Sequence, residues 1–218
     1  MADFPHRDQV EVTWRSYQLD PSLPDHYDGG ELEYLSSRKG MPAEQVMGMF
    51  EHVAAQARGE GLNFAFDDVV VANSFTAHRL IHLAAGHGKQ GEAKERLLSD
   101  HFEQGKDIGN RDYLTGVALE LGIPEAETAE LFSSDKYTAE VRADISEARA
   151  LGISGVPFFV IDRKYGLSGA QPAETFSAAL SQAWQESHPL VMMGAAQTGG
   201  AEAKDQSAEA CGPDGCSI

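Results

Sequence analysis

Pro157 heads a run of apolar residues, Phe158-Phe159-Val160-Ile161, that otherwise reads as a buried strand. Proline has no N–H to give to a sheet, so this strand cannot run back through it and must begin here, at an edge or a turn. Gly155 and Val156 already loosen the chain before it. The residues leave two forms open: a trans proline opening an edge strand, or a cis Val156-Pro157 bond in a tight turn, since cis bonds are nearly confined to X-Pro. The polar stretch "RKYG" after the strand predicts a turn, and "LSGA" at 167–170 a short second strand, so the region reads as a hairpin. Pro172 then suits the first turn of a helix over 172–186 that turns Phe176, Leu180, Ala183 and Trp184 inward.

Upstream the pattern is different. Residues 9–19, "QVEVTWRSYQL", alternate Val10, Val12 and Trp14 with Glu11, Thr13 and Arg15, which predicts a strand with one buried face. From about residue 31 to 150 the period is helical. Val46, Met49, Phe50, Val53 and Ala57 form a stripe after Pro42, and Asn73 or Ser74 caps a helix that stops at Gly86. Further helices follow at 92–105, 110–122 and 123–132, and at 134–152 with a stripe of Tyr137, Val141, Ile145, Ala148 and Leu151. One strand, a block of helices, a hairpin and a last helix predict an α/β layer interrupted by a helical insertion.

A chain of 218 residues, 42% of them hydrophobic, can bury the core of one domain with an insertion or of two small ones. Seventeen Lys and Arg against 34 Asp and Glu give a formal charge of -17, which repels phosphate backbones and anionic bilayers, so neither nucleic acid nor membrane is an expected partner. The start, "MADFPHRDQVEV", has neither a basic nor an apolar run, and cytoplasm is the expected location.

His78 and His82 lie one helical turn apart with His87 just beyond, but no acid at matching spacing completes a ligand set and "HRLIH" lacks the Glu of a zincin; helix-surface or partly buried histidines are expected, and no metal site. The two cysteines are Cys211 and Cys216, in "CGPDGC". Gly212 and Gly215 permit a tight loop and Pro213-Asp214 favours a turn, so a disulfide is sterically reasonable; a reduced pair or a soft-metal site are the alternatives. Glu209 and Asp214 flank these thiols and no cation does, so slow exchange, with thiol pKa values near or above the free value of about 8.5, is expected. Residues 194–210 contain almost no large apolar side chain and read as a tether whose r.m.s. reach is on the order of 20 to 25 Å.

Four features in this order, "VTWRSYQLDP", "NSFTAHRLIHLA", "LGISGVPFFVIDRKYGLSGAQP" after "ADISEARA", and "ACGPDGC", resemble the DsbA-like thioredoxin-fold proteins, in particular their FrnE-like cytoplasmic branch. The resemblance covers nearly the whole chain. It implies an α/β thioredoxin-like fold of DsbA type with a large all-helical insertion: residues 1–20 and 134–190 as the thioredoxin-like part, 21–133 as the insertion, and 191–218 as a tail. It also implies a cis bond at Val156-Pro157 and a substrate-binding loop at Gly155, Val156 and Pro157, where extended polypeptide pairs with the backbone. Members of that family begin with a strand and a Cys-x-x-Cys at a helix N-terminus, and Met1 falls where that helix would end. The expectation is therefore an N-terminally incomplete fold, exposed sheet edges, lower stability, and a homodimer formed through the free edge.

The activity implied is thiol:disulfide exchange on polypeptide or small thiol and disulfide substrates, with Cys211 and Cys216 as the catalytic pair, and impaired by the absent Cys-x-x-Cys. No cofactor is implied; glutathione is a candidate co-substrate. Two alternatives stand beside it. One is a glutathione-dependent isomerase or transferase similar to 2-hydroxychromene-2-carboxylate isomerase, in which Asn73 would be a polar group near the thiol-substrate cleft rather than only a cap. The other is a non-catalytic, chaperone-like module that keeps the Val156-Pro157 groove.

Overall fold

The structure is a computed structural model and describes residues 4–24 and 27–189. Most of it is helix. After a short 3-10 turn at Arg7–Gln9 come α1 (Glu31–Lys39), α2 (Ala43–Gly59), α3 (Phe75–Gly86), α4 (Gln90–Gln104), α5 (Arg111–Glu120), α6 (Glu125–Ser133) and α7 (Thr138–Ala150). The antiparallel strands β1 (Phe158–Ile161) and β2 (Tyr165–Ser168) and the helix α8 (Ala173–Ser187) complete the described chain.

The core is made by α3 to α6. Ala77, Leu80, Leu83 and Ala84 of α3 recur at spacings of three and four and meet Leu97 of α4, Leu114 and Val117 of α5 and Leu131 of α6, all buried. Buried Arg79 ties α6 to α3. Its Nε donates to the Lys136 carbonyl at 2.8 Å, and its Nη2 to the carbonyls of Leu131 and Ser134 at 2.6 and 2.5 Å, at the end of α6 where carbonyls lack partners within the helix. A string of rings, Phe50 on Phe66 and Phe64 on Phe102, links α2 to α4 across the loop between α2 and α3. On α2 the expected stripe is only partly covered: Val46 and Ala57 are buried, whereas Met49 and Val53 are exposed.

The hairpin pairs Phe158 with Ser168, Phe159 with Leu167, Val160 with Gly166 and Ile161 with Tyr165. Its second strand starts two residues earlier than the sequence suggests. Asp162 and Arg163, with φ of 50° and 55°, make the turn, and Lys164 N–H closes it onto the Ile161 carbonyl, so the reversal is complete before Tyr165. Phe159 packs edge-on against Phe176 of α8, and His6 stacks on Trp184, which brings the start of the described chain onto the same helix.

The strand expected over 9–19 does not form. Residues 10–18 carry no ladder, because no neighbouring strand lies beside them among the described residues. Their predicted apolar face is open: Val12 is 57% and Trp14 37% exposed, and the buried residue is Ser16.

Candidate functional site

A backbone segment outside a ladder still needs partners for its N–H and C=O groups. In residues 14–18 side chains from three helices supply them. The Gln90 carboxamide, at the start of α4, takes both polar groups of Trp14: its Oε1 accepts the Trp14 N–H at 3.2 Å and its Nε2 donates to the Trp14 carbonyl at 3.0 Å. Asp144 on α7 accepts the Ser16 N–H at 2.8 Å and the Arg15 guanidinium at 3.1 Å. His78 Nε2 lies 3.1 Å from the Tyr17 carbonyl, and since a carbonyl only accepts, that nitrogen carries the proton. Burial holds the His78 imidazole below its usual pKa, and the Tyr17 carbonyl and the Asp144 charge offset this in part. His82 Nε2 also reaches Asp144, at 3.0 Å, and the Ser16 hydroxyl at 3.2 Å. His78 and His82 are thus partly buried hydrogen-bonding groups, and no group of three or more His, Cys, Asp or Glu among the described residues is placed to hold a metal ion.

Asn73 joins this segment to α3. Its Oδ1 accepts the Phe75 N–H at 3.0 Å, which caps the helix, and the Gln18 carboxamide at 2.9 Å, while its Nδ2 donates to the Leu23 carbonyl at 2.7 Å. Asn73 also lines a cavity of about 580 Å³ between residues 18–21, the start of α3 and one face of α7. Arg142, Ile145, Ser146 and Arg149 form the α7 wall. Beside it, a smaller cavity of about 90 Å³ shares Asn73 and Thr76 and is bordered by Arg111.

The loop before β1 is apart from the lining of this cavity. The Val156-Pro157 bond is cis, and Val156 is 50% exposed. The Pro157 carbonyl accepts the Gly169 N–H at 2.9 Å, which fastens the base of the hairpin. Gly155 has no left-handed φ, and a methyl added there would meet no described atom within 4 Å. Neither long edge of the hairpin has a further strand beside it among the described residues. Asn73 is half-buried at the cavity and the loop 155–157 is exposed outside its lining, whereas Cys211 and Cys216 lie outside the described residues. No helix among the described residues is long and apolar enough to cross a membrane.

Sequence reasoning missed Asp144, Gln90 and the arginines of α7. Asp144 had a legible signal: it falls three residues after Val141 and four before Ala148, on the apolar stripe of α7, where a carboxylate has to find partners. Gln90 and the arginines had none.

Residues 2–181 match the model of the DSBA-like thioredoxin domain. The chain is 38% identical to a probable DsbA oxidoreductase from Streptomyces coelicolor, superposing with a TM-score of 0.80 over 100% of this chain and 88% of that one. The structure of a 2-hydroxychromene-2-carboxylate isomerase has the same fold, with a TM-score of 0.55 and 16% identity over 74% of this chain and 82% of that one. An uncharacterized protein of Bacillus subtilis, YwbO, is 26% identical over 175 residues, covering 79% of this chain and 82% of that protein.

Proposed function

Because the chain belongs to the DSBA-like thioredoxin domain family, we propose that it carries out thiol:disulfide exchange in the FrnE-like manner, with Cys211 and Cys216 as the redox pair and Gly155, Val156 and Pro157 as the substrate loop. The observation that carries this reading is the likeness along the whole chain to the probable DsbA oxidoreductase of Streptomyces coelicolor. The exposed loop at the head of β1 supports it locally: Val156 is half exposed, and a methyl added at Gly155 would meet no described atom within 4 Å, which leaves space for an approaching polypeptide.

The exchange balances as follows. The thiolate of one cysteine attacks a substrate disulfide, a mixed disulfide forms and one substrate thiolate leaves. The second cysteine attacks the mixed disulfide, the Cys211-Cys216 bridge closes and the other substrate thiolate leaves. Two electrons pass to the substrate, and two molecules of glutathione, becoming glutathione disulfide, return the pair to the thiols. Run backwards, the same steps oxidise a substrate dithiol.

Insulin reduction by glutathione tests this. The protein should accelerate it, and Cys211→Ser or Cys216→Ser should each remove the acceleration while leaving the melting curve unchanged. The chaperone-like alternative predicts suppression of insulin aggregation with no change in the rate of its reduction.

A further inference from the structure

The cavity between the start of α3 and α7 has two arginines on one wall. Arg142 and Arg149 both line it, both are exposed, and no carboxylate is part of the lining. A cation without an ion pair is not unusual among the described residues, since Arg58, Lys106 and Arg111 also have none; what sets Arg142 and Arg149 apart is that they share this cavity. Glu140 is two residues from Arg142, and residues at that spacing do not face each other on a helix. Asp144 is held by Ser16, Arg15 and His82, and Glu147 by Arg163. The same Arg163 connects the cavity to the end of the described chain. It lies in the hairpin turn beside Lys164 and Tyr165, which both donate to Glu186 in the last turn of α8, while its partner Glu147 lies between Ser146 and Arg149 on α7. The chain therefore leaves α8 two side-chain contacts away from the cavity wall.

We propose that this cavity receives the chain's own CGPDGC segment, one arginine holding the Asp214 carboxylate and the other stabilising the Cys211 thiolate. This deepens the reading of Cys211 and Cys216 as the redox pair, and rests on it. Reach permits it: Cys211 comes 23 residues after His188, and a polar chain of that length spans on the order of 25 Å r.m.s.. Spacing permits it as well. The arginines are seven residues apart on α7, two turns, so their backbone positions are separated by about 10 Å. Asp214 is three residues from Cys211, which the chain can spread over up to about 10 Å. Asp214 on one guanidinium thus leaves Cys211 beside the other, and Cys216, two residues from Asp214 in the opposite direction, outside the pair. Guanidinium forks bind carboxylates in bidentate fashion, which fixes the Asp214 end. With only Glu209 and Asp214 near it, a thiol stays near or above the free value of about 8.5, whereas a guanidinium within about 4–6 Å favours the thiolate. Its proton goes to solvent, Cys211 becomes the group that attacks a substrate disulfide, and Cys216 is left to close the bridge.

Iodoacetamide alkylation of the reduced full chain, followed against pH and read at each cysteine by mass spectrometry, tests this without any disulfide exchange. Cys211 should titrate about one pH unit or more below the same residue in a synthetic peptide of residues 207–218, and Cys216 should not. In the R142A/R149A chain Cys211 should return to the peptide value. Both positions are exposed and alanine favours helix, so this variant should keep the native melting curve. R58A, which removes a cation outside the cavity, should leave the Cys211 midpoint where it is. Added salt should raise that midpoint toward the peptide value by screening. Equal midpoints in chain and peptide, a midpoint unmoved by R142A/R149A, the same rise from R58A, or a lowered midpoint at Cys216 instead of Cys211 would each overturn the proposal. A chain whose Cys211 titrates low and depends on both arginines, but which fails to speed insulin reduction, would support the docking and contradict the exchange reading.

Discussion

Asp144, buried on α7, accepts the backbone N–H of Ser16 at 2.8 Å across 128 residues of sequence. That bond, with those to Arg15 and His82, fixes an extended segment that has no sheet to hold it. Removing one partner of a buried charged network leaves the others unsatisfied, which costs about 3–5 kcal/mol when the pairing is complete. Arg15 is largely solvent-exposed here, so the cost falls at or below the bottom of that range. Asp144→Ala should lower the urea-unfolding free energy by about 2–3 kcal/mol. It should also raise proteolytic cleavage within residues 10–18. A variant as stable as the parent would show that the segment is held by other contacts.

His78 gives stability a pH dependence. Burial favours its neutral form, so its folded pKa lies below the unfolded value of about 6.5. The stabilisation is fully present above about pH 6.5 and is lost as pH falls from there through the folded pKa, because the unfolded chain then binds the extra proton. His101, also shifted down by burial, acts in the same direction. Urea midpoints measured at about pH 7.5 and about pH 5.5 should show a loss at the lower pH that is smaller in His78→Gln. An equal loss in that variant would assign the effect to other groups.

The Arg79 guanidinium reaches three carbonyls with a geometry that only a planar fork provides. Arg79→Lys keeps the charge but can serve fewer of them, and Arg79→Met serves none. Unfolding free energies should fall by about 1–2 kcal/mol for the lysine variant and about 3–4 kcal/mol for the methionine variant. The opposite order would mean that the buried charge costs more than its hydrogen bonds return.

Gly155 separates packing from function. Its φ lies outside the left-handed region and its Cα faces open space among the described residues, so Gly155→Ala should leave stability unchanged or raise it by about 0.4–1 kcal/mol. If substrate backbone approaches Val156 closely, the same methyl should raise KM for a peptide disulfide with little change in Tm. Unchanged kinetics would place substrate elsewhere.

The sequence was most legible where backbone chemistry constrains it. Pro157 marked where β1 begins, and the helices announced themselves through end signals such as Gly86 at the close of α3 and stripes such as Val141, Ile145 and Ala148 on α7. Alternation at Val10, Val12 and Trp14 specified extended backbone, but a strand also needs a neighbour, which local sequence does not encode. Gln90, Asp144 and His78 satisfy that segment instead, and their role depends on contacts 61 to 128 residues apart. Arg142 and Arg149 gave no signal either, since a helix-surface arginine looks the same whether a glutamate or an empty cavity faces it.

Cys211 and Cys216 are proposed to exchange a disulfide with substrate. The most direct measurement is single-turnover mass spectrometry of the reduced full chain mixed with a disulfide-bridged peptide. The peptide should gain two hydrogen atoms as the chain loses two, the new bridge should map to Cys211-Cys216, and Cys→Ser at one position should accumulate the mixed disulfide at the other. A chain that stays reduced while the peptide stays oxidised, or a bridge that forms no faster than with a tail peptide containing CGPDGC alone, would contradict it.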